Sequence, residues 1–216
     1  MEKNKFPSSK DHLNKTFLEE MGYKLWSTKG TRFIANHRLI TIDRLSNLSL
    51  SFLNAYLIIF GLLAVYQISN DSIISQNVVA FGSTALSILL LVFSQIEVSR
   101  DYKLKAHLYH ECALELSELY NELRIFKTLK DTSDQAKSEF AIGISAKYQQ
   151  VLKNYFNHDD IDYKRFQIEN CEYFGLHWGK VIHFNAIYYV RVKLLYHALI
   201  VGPLLLTIFY IVSNKG

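Results

Sequence analysis

Three long stretches without charged side chains constrain this chain more than any other feature. Leu45–Asn70 contains no Asp, Glu, Lys, Arg or His, and after Asp71 the chain is again uncharged over Ser72–Ile96. The third stretch, Leu194–Asn214, has His197 as its one titratable group. The hydrocarbon core of a bilayer is about 30 Å thick, so about 20 helical residues cross it. Each stretch is long enough to predict a transmembrane helix.

The first two stretches predict a transmembrane hairpin. Its spans are placed at about Leu45–Ile68 and Ile73–Ile96, joined by the short loop Ser69–Ser72. The alternative is a soluble helical bundle, in which these helices would be buried. That alternative needs three uncharged helices inside one small domain, and buried helices of soluble proteins seldom extend so far without a charge. The sequence therefore predicts an integral membrane protein.

The third stretch is interrupted by Gly202 and Pro203, which membrane helices tolerate when neighbours satisfy the freed carbonyl. Its high content of Leu, Ile and Val favours a full span, with a re-entrant or interfacial helix as the alternative. His197 lies about one turn inside this span, beside Tyr196. An ionisable group inside a membrane is a functional candidate. So close to the interface, an anchoring role is favoured.

The distribution of Lys and Arg predicts the orientation. Residues 1–44 carry nine and residues 97–193 carry fourteen, whereas the hairpin loop has none and the C-terminal tail has only Lys215. The positive-inside rule then places both basic regions in the cytoplasm, and the loop and C-terminus outside. The predicted organisation is cytoplasmic N-terminal helices (1–44), the hairpin (45–96), a cytoplasmic helical region (97–193) and a third span (194–213).

The net charge of +4 follows from this bias near the membrane. The basic residues are interleaved with acids, so no continuous stripe for phosphates arises and no direct nucleic acid binding is expected. The cations near the membrane are instead expected to bind anionic lipid headgroups. Cys112 and Cys171 form no CxxC pair, which favours reduced, structural thiols.

The remaining segments predict helices only. Between Gly82 and Gly143 there is neither Gly nor Pro, so the second span is expected to continue unbroken into a cytoplasmic helix that reaches about Lys130. Two N-terminal helices are predicted at about Leu13–Leu25 and Trp26–Arg44.

The helix after the membrane has a coiled-coil-like seam at Leu104, Leu108, Cys112, Leu116, Leu119, Leu123 and Phe126. A second helix, long enough to fold back on it, has its stripe at Phe140, Ile144, Tyr148, Val151, Leu152 and Tyr155. The predicted fold class is an all-α integral membrane protein with a cytoplasmic helical stalk.

Motifs of catalysis are absent from the sequence. It has no Gly-rich phosphate loop, no HExxH and no nucleophile elbow, so neither an enzyme nor a cofactor is expected. His107, His110, Glu111 and Cys112 lie close together on one predicted helix, and the i/i+3 spacing would let the two histidines share a metal. A contact between helices is favoured instead. The cluster of His158 with the acidic residues of Asp159–Asp162 is interpreted as a turn with N-caps. A membrane-embedded enzyme acting on lipids ranks last, because the spans lack carboxylates.

One face of each hairpin helix is small and polar. In the first span this face comprises Asn47, Ser51, Asn54, Ile58 and Gly61, and in the second Asn77, Ala80, Thr84, Ser87, Leu91 and Ser94. Such faces meet protein or water rather than lipid. Ordinary helix packing is the alternative to lining a pore, and three helices alone cannot enclose one, so conduction requires a homo-oligomer. The residues predicted at a helix interface or pore are Asn54, Gly61, Asn77, Thr84, Ser87 and Ser94.

At this point the sequence resembles a known family. The resemblance is carried by Trp26-Ser-Thr-Lys29-Gly30-Thr-Arg32-Phe33 and Arg38-Leu39 before the hairpin, and by Glu97, Tyr102, Ala106, His110, Cys112, Leu116, Leu119, Tyr148, Leu152, Asn157-His158 and Asp162 after it. Together these residues resemble the SLATT group, the two-transmembrane effector domains associated with SMODS nucleotide cyclases and SLOG nucleotide sensors. The third span fits a subgroup found near reverse transcriptases.

The resemblance implies a function. SLATT proteins are predicted pore-forming effectors of bacterial conflict systems, which permeabilise the inner membrane and abort phage infection. A nucleotide-generating enzyme or a reverse transcriptase is implied as a partner encoded nearby. The motif residues expected to act in the cytoplasm are Trp26, Lys29, Arg32, Arg38, His110 and His158. A scaffold or regulator that tethers a cytoplasmic enzyme without conduction stays open as the alternative.

Overall fold

The computed structural model describes residues 14–66, 76–128 and 133–213, and these residues contain helices and no strand. The helices are α1 (Phe17–Tyr66), α2 (Gln76–Val98), α3 (Tyr102–Thr128), α4 (Asp134–Asn154), α5 (Asp160–Glu169), α6 (Cys171–Phe174), α7 (Trp178–Tyr189) and α8 (Leu195–Ser213). A π-helical turn, Val190–Leu194, joins α7 to α8. The all-α prediction is confirmed.

Three helices are long and apolar enough to cross a membrane, by length and composition, as predicted. They lie within Phe17–Leu62, Asn77–Thr128 and Trp178–Leu206. Only 6% of the most apolar window of the second is buried, so lipid or another protein must cover it. Helix α8 continues through Pro203 without a break, as a full third span requires. The predicted loop Ser69–Ser72 lies outside the described residues.

The N-terminal region is one helix, and the prediction of two separate helices is wrong. Helix α1 is 50 residues long and runs without a break into the first span. Neither Gly22 nor Gly30 interrupts it. At Gly30 the lack of a side chain lets a neighbour approach, because a Cβ there would lie 2.4 Å from the ring of Phe166. At this position, close packing offsets the low helix propensity of glycine.

The predicted unbroken helix from the second span to about Lys130 is also wrong. Helix α2 ends at Val98, and α3 begins at Tyr102 after a tight turn. Within the turn Asp101 has a φ of 48°, and its N–H donates to the carbonyl of Val98. Aspartate tolerates this left-handed conformation better than most residues. The turn therefore needs neither Gly nor Pro, and for that reason no residue pattern predicted it.

The chain divides into two compact units. The core unit comprises Met1–Ile40 and Lys103–Tyr188, as far as they are described, and the span unit comprises Thr41–Tyr102 and Tyr189–Gly216. In the core unit, apolar side chains of α1, α3 and α4 form one cluster of Met21, Leu25, Cys112, Leu116, Leu119, Leu123, Ile144, Tyr148 and Val151. The predicted apolar seam of α3 is confirmed from Cys112 onward, and α4 folds back on α3 as predicted. Leu104, at the start of the predicted seam, is exposed.

In the span unit, α1 packs on α8 through a face that includes Ser46, Ser49, Leu53 and Tyr56, all buried. Ser49 Oγ donates to the carbonyl of its own helix at Leu45 (2.7 Å), and it lies 3.3 Å from the carbonyl oxygen of Tyr196. The Tyr56 hydroxyl donates to the carbonyl of Ile200. These polar contacts need small or hydrogen-bonding side chains, which is how helices associate in lipid.

Replacing Gly30 by alanine should destabilise the core unit by about 1–3 kcal/mol, because the buried ring of Phe166 cannot yield to the new methyl group. The matched control is Gly143→Ala in α4, where a Cβ meets nothing within 4 Å. The control should gain about 0.5–1 kcal/mol from helix propensity. Thermal unfolding of the detergent-solubilised protein measures both, and equal midpoints for the two variants would contradict this packing.

Candidate functional site

A buried ion pair joins α1 to α5 in the core unit. Arg38 Nε and Nη2 donate to the two carboxylate oxygens of Asp162 at 2.7 and 2.9 Å. Asp162 is fully buried and Arg38 is 8% exposed. Burial lowers the pKa of Arg38, but the hydrogen bonds and charges of Asp162 and Asp159 outweigh it, so the pKa is raised. The guanidinium is held charged in a fixed, bidentate geometry.

The same aspartates build the start of α5. Asp159 is the N-cap residue, and its backbone N–H donates to the Asp162 carboxylate at 3.2 Å. Arg38 Nη2 also donates to the Asp159 carboxylate at 2.5 Å. The interpretation of this acidic cluster as a turn with N-caps is therefore confirmed. Among the described residues, no group of three His, Cys, Asp or Glu side chains could hold a metal ion.

Arg32 fixes the loop between α4 and α5. Its side chain is fully buried, donates to the carbonyl of Phe156, and lies 5.4 Å above the ring of Tyr109. The Tyr109 hydroxyl donates to the carbonyl of Asn157 at 2.8 Å. Within the described part of the chain, the buried Arg32 Nε and His158 Nδ1 have no hydrogen-bond partner. The motif residues Arg32, Arg38 and His158 thus lie around one loop, which α1 and α3 hold.

The electrostatic surroundings of His158 favour its neutral form. Burial lowers the pKa of His158 first, and the charge of Arg32 lowers it further. Asp162, Asp159 and Asp160 act in the opposite direction without reversing the shift. A neutral imidazole in this place avoids a second positive charge beside the buried guanidinium.

The remaining motif residues lie on the same stretch of α1. Trp26 packs against Phe166 and Tyr173, with both pairs of ring centroids 4.8 Å apart. Lys29 Nζ lies 4.1 Å above the ring of Tyr120, and burial together with the charge of Arg124 lowers the pKa of Lys29. These contacts tie α1 to α3, α5 and α6.

His110 belongs to the contact between α1 and α3. Its ring lies edge-on to the ring of Phe33, with centroids 5.8 Å apart. His107 is instead exposed and lies 3.8 Å from Glu111 on its own helix. The two histidines therefore do not converge on one point, and the interhelical contact that the sequence favoured is what the structure contains.

Most of the residues predicted at a pore or interface lie on the surface of the span unit. Asn54, Gly61, Asn77, Thr84 and Ser87 are exposed, and Ser94 is half-buried. Their hydrogen bonds stay within their own helices: Asn54 donates to Leu50, Thr84 to Ala80, Ser87 to Ser83 and Ser94 to Leu91. Their role in conduction or assembly stays a prediction.

The sequence reasoning missed the polar residues that pack inside the span unit. Tyr196 donates to the buried Glu97 carboxylate at 3.0 Å, and Tyr102 lies 3.4 Å from the Tyr196 hydroxyl. Ser49 of α1 is buried beside the carbonyl of Tyr196 in α8 and lies outside the polar face chosen from the sequence. The spacing of three or four residues along Ser46, Ser49, Leu53 and Tyr56 was the available signal.

Residues 14–209 match the family described as SMODS and SLOG-associating 2TM effector domain family 5. The chain belongs to this family. The match covers α1 to α8 and includes every motif residue discussed above. Family 5 is thereby a membrane effector domain associated with defence systems and with partner proteins in them. The assignment to a subgroup found near reverse transcriptases stays a prediction.

No curated protein matches this chain. No solved structure matches it either.

Removing the Asp162 carboxylate should destabilise the protein by about 3–5 kcal/mol, because Asp162→Ala leaves the buried Arg38 guanidinium without its partner. The matched control is Glu122→Ala, which breaks the exposed pair with Lys147 and should cost less than about 1 kcal/mol. Chemical unfolding in detergent measures both changes. Similar losses in the two variants would contradict the central role of the pair.

Acid should destabilise the protein in part through His158. A histidine whose folded pKa is lowered stabilises the fold above its unfolded pKa of about 6.5, and this contribution is lost as the pH falls through that value and further down. Replacing His158 by glutamine should therefore reduce the drop in unfolding midpoint between about pH 7.5 and about pH 5.5. The exposed His107→Gln is the control, and an equal effect of both substitutions would refute this assignment.

Proposed function

We propose that this protein is the effector of a bacterial anti-phage system, which oligomerises and permeabilises the inner membrane when a nucleotide signal or a partner enzyme triggers it. Its membership of a two-transmembrane effector family supports this proposal. Further support comes from three helices that are long and apolar enough to cross a membrane. The proposed outcome is abortive infection, without any catalysis by the chain itself.

The proposed orientation has the core unit in the cytoplasm and the C-terminus outside. It rests on the distribution of Lys and Arg between the segments that flank the spans. In this orientation the core unit is exposed to cytoplasmic signals, from a nucleotide-generating enzyme or a reverse transcriptase encoded nearby. The cations beside the spans, Arg100 among them, would contact anionic lipid headgroups.

One observation carries the assembly and conduction part of the proposal. Asn54 lies in the first span, and its side chain is exposed. One amide hydrogen of this side chain donates to the carbonyl of Leu50. Among the described residues, the second amide hydrogen and the amide oxygen have no partner. Transferring an amide from water to hydrocarbon without such partners costs roughly several kcal/mol of free energy. Water in a pore, or the same helix of another copy, would supply them.

Thr84 and Ser87 extend this argument to the second span. Both hydroxyls donate to carbonyls of their own helix, at 2.9 and 2.8 Å, and their oxygens remain able to accept hydrogen bonds. The surrounding surface of α2 is strongly apolar, with Phe81 and Leu89 among its most exposed side chains. A polar stripe on such a helix would face water or a neighbouring subunit, while the apolar side would face lipid.

Helix α1 is the proposed route from signal to membrane. It carries the motif residues Trp26 to Arg38 and continues to Tyr66 without a break. The turn at Asp101 between α2 and α3 makes the second span a less direct route. Repacking around the α4–α5 loop would act on Arg32 and Arg38, and a rotation of α1 at these residues would turn Asn54 as well.

Leucine substitutions at Asn54, Thr84 and Ser87 should abolish toxicity and membrane depolarisation on induced expression, without reducing the amount of protein in the membrane. Apolar rings close pores by dewetting, so the leak should fall by at least about tenfold. The control is Leu89→Phe, which adds bulk to the exposed apolar side of the same helix. A membrane-potential dye measures depolarisation in cells.

Dye release from liposomes separates this proposal from the scaffold alternative. A tethering protein without conduction would release no dye under any activating condition. Full toxicity of all three leucine variants would show that these residues do not line the leak, and absence of depolarisation in every activating condition would refute the effector function itself.

A further inference from the structure

A cleft in the core unit lies between α1, α3 and α6. Its volume is about 370 Å³, within the range of small-molecule sites. Gly22 lies in its lining, where a Cβ would be only 3.5 Å from Lys127 Nζ. The absence of a side chain at this position leaves the space between α1 and α3 open.

One side of the cleft is aromatic. Tyr23 and Trp26 from α1 and Tyr173 from α6 lie together there. The rings of Tyr23 and Tyr173 are nearly parallel, at 16°, with centroids 6.3 Å apart, and Trp26 lies 4.8 Å from Tyr173. The hydroxyls of Tyr23 and Tyr163 form a hydrogen bond, with their oxygens 3.0 Å apart, which fixes the ring of Tyr23. Fixed aromatic faces of this kind stack on planar bases.

The other side of the cleft is cationic. Arg124 and Lys127 from α3 line it, together with Tyr120 of the same helix. Lys29 from α1 lies beside them, with its ammonium above the ring of Tyr120. Within the described residues none of these three cations forms an ion pair. Burial lowers the pKa of Lys127, with Glu19 acting in the opposite direction.

Glu19 is the acidic residue of the cleft lining, and its carboxylate is already engaged. Its Oε2 accepts hydrogen bonds from the backbone N–H and the hydroxyl of Thr16, both at 2.9 Å. These bonds lower the pKa of Glu19 and hold the carboxylate at the start of α1. Arg124 and Lys127 together outnumber this one carboxylate, so the cleft lining keeps a net positive charge.

We propose that this cleft binds a nucleotide, with the base stacked among Tyr23, Trp26 and Tyr173 and the phosphate bound by Arg124 and Lys127. The combination of fixed aromatic faces with unpaired cations matches a planar base joined to an anion. The volume lies at the small end of the range for ligand sites, which favours a single nucleotide over a dinucleotide. Nucleotide binding by the cleft is independent of the proposed function. The role of this nucleotide as the trigger rests on that function.

An acidic peptide of a partner protein would also meet Arg124 and Lys127. It would not use the aromatic side, because carboxylate side chains offer no planar face to stack on Trp26. The experiment therefore includes both kinds of ligand.

Fluorescence of Trp26 reports binding directly. The chain has two tryptophans, so the full-length Trp178→Phe protein in detergent or nanodiscs carries Trp26 alone. Nucleoside monophosphates, triphosphates and 3′,5′-cyclic mononucleotides are titrated, beside free nucleosides, inorganic phosphate and poly-glutamate. Saturable quenching by at least one nucleotide is expected, with weaker binding of the matching nucleoside and none of phosphate.

Charge reversal tests the phosphate contacts. Arg124→Glu with Lys127→Glu should weaken nucleotide binding roughly tenfold or more, because charge-assisted contacts are replaced by repulsion. The control is Lys105→Glu with Lys153→Glu, an equal charge change at exposed positions outside the cleft. Gly22→Leu, which fills the cleft without changing charge, should also abolish binding. Circular dichroism confirms that each variant is folded.

Four results would overturn the site: no saturable binding of any nucleotide, equal binding by the two charge-reversed double variants, unchanged binding by Gly22→Leu, or quenching by poly-glutamate alone. Dye release from liposomes is measured on the same samples. Nucleotide binding without release supports the site and contradicts the proposed function. Release by another trigger without nucleotide binding overturns the site and leaves the proposed function standing.

Discussion

Arg38 places a charged guanidinium in the interior of the core unit, and the arrangement around it follows from the need to compensate that charge. Burial of a lone cation is very unfavourable, so the fully buried Asp162 carboxylate must meet it in bidentate geometry. Because Asp162 also accepts the N–H of the N-cap residue Asp159, the same charge fixes where α5 begins. The loop before α5 is then held by Arg32, which donates to Phe156. One interaction thereby determines how α1, α5 and the α4–α5 loop pack.

This arrangement gives the family motif a physical meaning. The basic and aromatic residues before the hairpin lie on successive turns of α1, and each meets a different neighbour in the core unit. Trp26 packs on α5 and α6, Lys29 on α3, and Arg32 and Arg38 on the loop and start of α5. The same helix continues into the first span. The motif residues therefore tie the N-terminal part of α1 to α3, α5, α6 and the α4–α5 loop.

The span unit follows a different rule. Its exposed surface is largely apolar, and its internal contacts are few and polar, such as the donation from Tyr196 to Glu97 and from Tyr56 to Ile200. In lipid, apolar burial does not drive helices together, so hydrogen bonds and small residues decide the packing. The polar stripe of Asn54 and Thr84 is left outside these contacts. It is therefore available to a further copy of the chain.

The sequence by itself determined the spans, the all-helical class, the seam of α3 and the capping role of the acidic cluster. Each of these depends on local composition or periodicity, which the chain displays directly. Tertiary structure decided the rest. The sequence could not reveal that α1 passes through Gly30 without a break, because only the approach of the Phe166 ring in the folded protein requires glycine there. It could not reveal the turn at Asp101 either, since no residue type demands it. Nor could it bring together the aromatic and cationic sides of the cleft, which come from distant parts of the sequence and meet only when α1, α3 and α6 pack together.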